Sequence, residues 1–163
     1  MKSKGILLSI LFGILFILTL FVACNQQNIV NPIEPVPDIE TLSARLDLEI
    51  AGLSNLPGDT APSTFQLING ELGEITYTGQ DNTRRYEFTY RIKRGSEKID
   101  GIYIEYPDAR TITIHGVPVT LRAEGALSHI ANWEVDGVSY ALYAHEGVPD
   151  ALMADLLDAP LKS

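Results

Sequence analysis

Few side chains in this sequence are spaced to do covalent chemistry. Cys24 is the only thiol among 163 residues, so an internal disulfide is excluded and chemistry at that sulfur must involve a group from outside the chain. Nucleophilic catalysis needs a serine or cysteine beside a base that a third group orients. No Gly-x-Ser-x-Gly elbow occurs, and the only hints are Ser128 next to His129 and His145 next to Glu146. His115, His129 and His145 are candidate nitrogen ligands, but zinc requires three or four ligands that converge. Asp150, Asp155 and Asp158 lack the alternating oxygens and the glycine of a calcium loop. Arg84, Arg85, Arg91, Lys93 and Arg94 would suit an anionic polymer, yet Glu87 lies among them and the chain carries −9 overall, which favours a solvated sheet face. Trp133 and the seven tyrosines suit a core and its rim better than a stacking platform. The sequence thus predicts no enzyme, no metal site and no cofactor.

The elements that position these residues are mostly strands. Tyr86, Phe88, Tyr90 and Ile92 alternate strictly with polar neighbours, the period of a half-buried strand. Residues 64–68 and 73–78 read as strands on either side of an Asn69-Gly70 turn. His115-Gly116 between residues 111–114 and 117–121 predicts a two-residue hairpin pairing Ile114 with Val117 and Ile112 with Val119. Pro118 has no amide hydrogen and fits that hairpin only at an edge or a bulge. Asp136-Gly137 predicts a second hairpin pairing Val135 with Val138, Trp133 with Tyr140 and Ala131 with Leu142. Extended without interruption, its register pairs His129 with residue 144, so His129 shares the Trp133 side and His145 the opposite face. Residues 95–101 and 107–108 read as irregular connections.

Asp38 is placed to cap a helix bearing Ile39, Leu42 and Leu46, and the period then shortens to two at Leu48 and Ile50, predicting a short strand. Residues 56–62 read as a loop. Pro149 and Asp150 open a closing helix with Leu152, Met153, Leu156 and Leu157 on one stripe, which Pro160 ends. The expected fold class is α+β: an antiparallel sheet of hairpins with a short helix near each end of the domain.

The amino terminus is of another kind. Lys2 and Lys4 precede an apolar run from Ile6 to Val22, and small Ala23 stands directly before Cys24. Basic start, apolar run and small residue at the cut are the three parts of a secretory signal. With the cysteine next in line, Phe21-Val22-Ala23-Cys24 resembles the lipobox of bacterial lipoproteins, although Phe21 stands where leucine is usual. That resemblance implies that Cys24 receives lipid and the chain is cut before it. The alternative is an uncleaved membrane helix, since the run is at the lower limit of spanning length. Either way the domain lies outside the cytoplasm. Loss of Lys2 and Lys4 with the signal takes the charge from −9 to −11, which repels phosphate backbones and argues against nucleic acid as a partner. Residues 25–37, with Pro32, Pro35 and Pro37, read as an extended tether. The expected organisation is a signal peptide at 1–23, lipidated cysteine and tether at 24–37, and one extracytoplasmic domain at 38–163.

Gly95-Ser-Glu-Lys-Ile-Asp-Gly101, Thr111-Ile-Thr-Ile-His-Gly116, Trp133-Glu-Val-Asp-Gly-Val-Ser-Tyr140 and the closing helix resemble domain of unknown function family 4367, over about residues 38–158. This family recurs in extracytoplasmic lipoproteins of Gram-positive bacteria. The resemblance implies an envelope domain with no assigned reaction and carries over no catalytic residue. The function expected is a non-enzymatic binding or scaffolding module at the cell membrane. Its partners would be the membrane, through lipid on Cys24, and an envelope protein or polymer. The alternative is a lipid or lipoprotein carrier with an apolar cavity.

Overall fold

The computed structural model describes residues 32–162; the expected signal segment, Cys24 and the expected tether through residue 31 lie outside the described residues. Eight strands form one antiparallel sheet in the order β1-β2-β3-β4-β8-β7-β6-β5. They are β1 (Ile33–Val36), β2 (Ala61–Ile68), β3 (Leu72–Gln80), β4 (Arg85–Arg94), β5 (Asp108–Ile114), β6 (Val117–Glu124), β7 (Leu127–Val135) and β8 (Val138–Val148). Two short helices accompany them, α1 (Ile39–Leu46) and α2 (Asp150–Leu156). The domain is therefore mostly β, and no helix among the described residues is long and apolar enough to cross a membrane.

Side-chain alternation divides the sheet into two unlike faces. On one face Ile75, Tyr90, Leu142, Ala131 and Leu121 follow one another across five strands through the pairs 75–90, 90–142, 142–131 and 131–121. Each is 1% exposed or less. Leu42 from α1, with Met153, Leu156 and Leu157 in and just after α2, covers that face and is fully buried. Asp38 caps α1 by accepting a hydrogen bond from Thr41 N at 2.8 Å, which satisfies one of the first free amides of the helix.

Both predicted hairpins form in the stated register, including Ile112 with Val119 and Trp133 with Tyr140. Asp136 and Gly137 both have positive φ, 51° and 74°, the twist that a two-residue turn between right-twisted strands requires. Pro118 lies beyond the last β6–β7 pair, Thr120 with Asn132, so its missing N–H breaks no ladder.

Three expectations change. Residues 33–36, assigned by their prolines to the tether, form the edge strand β1, where Pro35 sits opposite Gln66. An edge strand tolerates proline because its outward side has no ladder to complete. The sheet thus includes residues ahead of Asp38. Residues 48–50 form no strand: Asp47 turns the chain through a left-handed conformation at φ 52°, and the segment runs on as cover for the core, burying Ile50 and Leu53. There Tyr77 Oη accepts from Leu53 N at 3.1 Å in place of a ladder bond. The third change concerns His129.

Candidate functional site

The opposite face of the sheet is polar and is crossed by the connection from β4 to β5, residues 95–107, which we call the strap. Its first residue is fixed from two sides: Gly95 N donates to Gly137 O at 2.7 Å, and Ser139 Oγ donates to Gly95 O at 2.6 Å. Further on, Arg91 on β4 reaches up to it. Arg91 Nη1 donates to the carbonyls of Asp100 (2.8 Å) and Ile99 (3.3 Å) while Nε pairs with Glu74 at 2.7 Å. Gly101 suits this turn of the strap, since its φ of +66° is a conformation that residues with a side chain rarely adopt.

The centre of the strap is the carboxylate of Asp100, whose side chain is 2% exposed. Burying a charge is costly unless partners replace its water, and four groups do so. Arg122 forms a salt bridge with it at 2.5 Å. Asn132 Nδ2 donates at 3.3 Å, Ile102 N donates at 3.0 Å, and Lys98 Nζ lies 3.8 Å away. One carboxylate from the strap thus ties together β6, β7 and the strap itself.

Beside this knot lies a cleft of about 520 Å³, lined among others by Ser96, Glu97, Lys98, Thr120, Arg122, Asn132 and Glu134. It offers cationic and amide donors together with carboxylate acceptors. Arg122 Nε is buried without a hydrogen-bond partner among the described residues. The two serine hydroxyls are engaged otherwise: Ser96 Oγ donates to Glu134 Oε1 at 3.0 Å, and Ser139 Oγ holds the strap. The cleft thus presents charged, amide and carboxylate groups to whatever enters it.

One histidine is placed differently from the sequence register. His129 is the extra residue of a bulge: Arg122 pairs with Ile130 but Ala123 with Ser128. On the other side Ser128 pairs with Val148 while Ile130 pairs with Tyr143. A bulge turns a side chain to the other face, so His129 leaves the Trp133 side and stacks on Tyr106 of the strap, with centroids 4.6 Å apart. Tyr106 pairs with Tyr143, and burial followed by that hydrogen bond pushes its hydroxyl pKa up to about 12. Tyr143 in turn lies 4.3 Å from the His145 ring. The two imidazoles therefore end one row of four rings on the strapped face. Among the described residues no group of three or more His, Cys, Asp or Glu side chains is placed to hold a metal.

Ser128 and His129, neighbours in sequence, do not form a pair. Ser128 Oγ donates to Asp150 Oδ1 at 2.7 Å on the core side. Arg110 binds the same carboxylate through two hydrogen bonds of 2.6 and 2.7 Å. Arg110 foremost, then Ser128, holds the Asp150 carboxyl below its ordinary range against the opposing effect of burial. His145 turns from Glu146 to Thr89 (3.1 Å) and Glu87 (3.4 Å). His115 meets Asp158 at 2.8 Å, and Lys162 binds that carboxylate too. Asp150 and Asp158 are thus committed to cationic or histidine partners.

The basic group is dispersed as well. Arg84 donates to Gly147 O, Arg91 holds the strap, Lys93 pairs with Glu97 and Arg94 reaches Asp47. Trp133 packs between Tyr90 and Tyr140 at centroid distances of 6.0 and 5.3 Å. Asp100, Arg122 and Asn132, which tie the strap to the sheet beside the cleft, carry no sequence motif. Their nearest signal is Asp100-Gly101 in an otherwise irregular stretch. No family model, curated protein or solved structure matches the chain.

Proposed function

We propose that the chain is a non-enzymatic binding or scaffolding module of the cell envelope, held on the extracytoplasmic side of the membrane by lipid on Cys24. In this reading it recognises a polar segment of an envelope polymer or protein in the cleft beside the strap. The observation that carries it is the contrast between the two faces. The apolar face is filled by its own helices, while the polar face keeps an open cleft of about 520 Å³ with both donors and acceptors on its walls. A ligand site of that kind works through a few convergent polar groups. The carrier alternative has less support, because an acyl chain needs a dry apolar cavity and the apolar side chains here pack against one another.

Two measurements test this reading. Labelled fatty acid should enter the wild-type chain and not Cys24→Ser; equal incorporation would remove the anchor. Soluble peptidoglycan fragments should shift the backbone amide resonances of residues 96–98, 120, 122, 132 and 134. Shifts confined to the helices would move the site away from the cleft.

A further inference from the structure

The two end strands of the sheet, β1 and β5, are finished differently. At β1, Asn69 N donates to Pro32 O at 2.6 Å, so alternation turns the backbone of Pro35 away from β2. Pro35 brings no N–H to that outer edge, and proline there is one of the ways in which a sheet is kept from pairing with another chain. Strand β5 has no such guard. It contains no proline and pairs with β6 without a shift from Asp108 to Ile114. Its two charges are already used: Asp108 accepts from Gly125 N at 3.1 Å, and Arg110 is held by Asp150.

Turn geometry fixes which groups β5 presents outward. His115 and Gly116, at φ 50° and 85°, form a two-residue loop, and the residues that flank such a loop, Ile114 and Val117, exchange both backbone hydrogen bonds. Bonded and unbonded pairs alternate from there. Ile112 and Arg110 therefore also bond to β6, while Thr113, Thr111 and Ala109 turn their N–H and C=O groups away from it. Pro118 agrees, because it stands opposite Thr113, in a pair that asks for no N–H. Ala109, Thr111 and Thr113 are exposed, and among the described residues nothing else bonds their backbone. Thr111 is the midpoint of the strand. An antiparallel copy of β5, related by a two-fold axis through Thr111, sets Thr111 opposite Thr111 and Ala109 opposite Thr113, so every outward N–H meets a carbonyl. An axis through Ile112 would instead set Ala109 against the His115 turn, without a ladder partner. Nor do like charges meet across the Thr111 axis, since Arg110 stands opposite Ile112 and Asp108 opposite Ile114.

We infer that the chain pairs with a second copy of itself, β5 against β5 about Thr111, so that one sheet runs through both molecules. The contact is isologous, the same surface serving on both sides. Both strapped faces then look to one side, and two clefts stand on a common surface. The pairing itself does not depend on what the clefts bind. Half-buried Ile112 and Ile114 add apolar contact along the seam, but a single strand edge covers less than the roughly 800 Å² per partner of a stable complex. The association is therefore weak and concentration-dependent.

Pro32–Ser163 is a compact unit with its own core, and this fragment is the sample. Sedimentation velocity from about 10 μM to about 1 mM should show a monomer passing to a dimer, as small interfaces do. Over that range amide exchange by NMR should slow at least about tenfold at Ala109, Thr111 and Thr113, while Arg110 and Ile112 are protected throughout by β6. Thr111→Lys and Thr111→Glu each set like charges directly opposite at the axis, and each alone should associate at least about tenfold more weakly. An equimolar mixture of the two should restore the dimer, because only an axis at residue 111 brings their opposite charges together. A monomer at every concentration overturns the inference, as does a dimer in which those three amides exchange unchanged or the charged variants pair like wild type. A chain that stays monomeric, yet gains protection at the three amides when given a synthetic peptide of residues 108–114, assigns the edge to a strand from another protein and overturns pairing with a second copy.

Discussion

On the helical side of the sheet, Phe88, Tyr90, Leu142 and Ala131 are sealed beneath α1 and α2 at 1% exposure or less; on the strapped side Arg91, Arg122, Asn132 and Glu134 surround one buried carboxylate and a cleft. The two sides obey different physics. Apolar packing is non-directional and gains from every methylene removed from water, so many residues contribute and none must sit at a particular angle. A buried carboxylate is stable only while each of its partners is in place. The helical side is therefore the broad source of stability, and the strapped side is a fixed polar geometry suited to recognition.

Removing volume from the helical side should have the largest effect. Phe88→Ala leaves a cavity in the fully buried layer and should cost about 4 kcal/mol, as large core truncations do. A loss below about 1 kcal/mol in urea unfolding would mean that the layer is loosely packed and the contrast is false. On the other face Asp100→Ala strands the Arg122 guanidinium and should cost about 3 kcal/mol. Hydrogen exchange sharpens this comparison: the strap at 95–107 should lose protection while β3 and β4 keep theirs, because stability is distributed in local units. Uniform loss across the sheet would make the strap part of the core. Gly137→Val places a β-branched residue at φ 74° in a turn that serves both faces, and strain of this kind costs about 2 kcal/mol. An unchanged melting midpoint would contradict the β7–β8 register.

The helical side was largely legible in the sequence. Alternation at 86, 88, 90 and 92, with the turns His115-Gly116 and Asp136-Gly137, specifies which side chains share a face, because period and turn geometry act over a few residues. The strapped side was not, because its contacts are distant in sequence: Asp100 meets Arg122 and Asn132, and no local rule joins them. Two of the three departures have local reasons. Prolines at 32, 35 and 37 obscure β1, since proline at an edge looks the same as proline in a linker. The bulge that moves His129 had one visible signal, Gly147. It lies at φ 65° within the strand pattern, and a Cβ there would come within 2.8 Å of the His129 ring; such a glycine marks a bulge or a close approach.

The division of labour between the faces is tested most directly by filling the cleft. Thr120 is exposed on β6 and lines the cleft, so Thr120→Trp occupies the space without touching the helical side. In co-sedimentation with insoluble peptidoglycan, the wild-type chain should pellet. The Thr120→Trp variant should remain in solution with its unfolding free energy within about 0.5 kcal/mol of wild type, as for other exposed substitutions. Undiminished pelleting of a fully folded Thr120→Trp protein would contradict the assignment of binding to the strapped face.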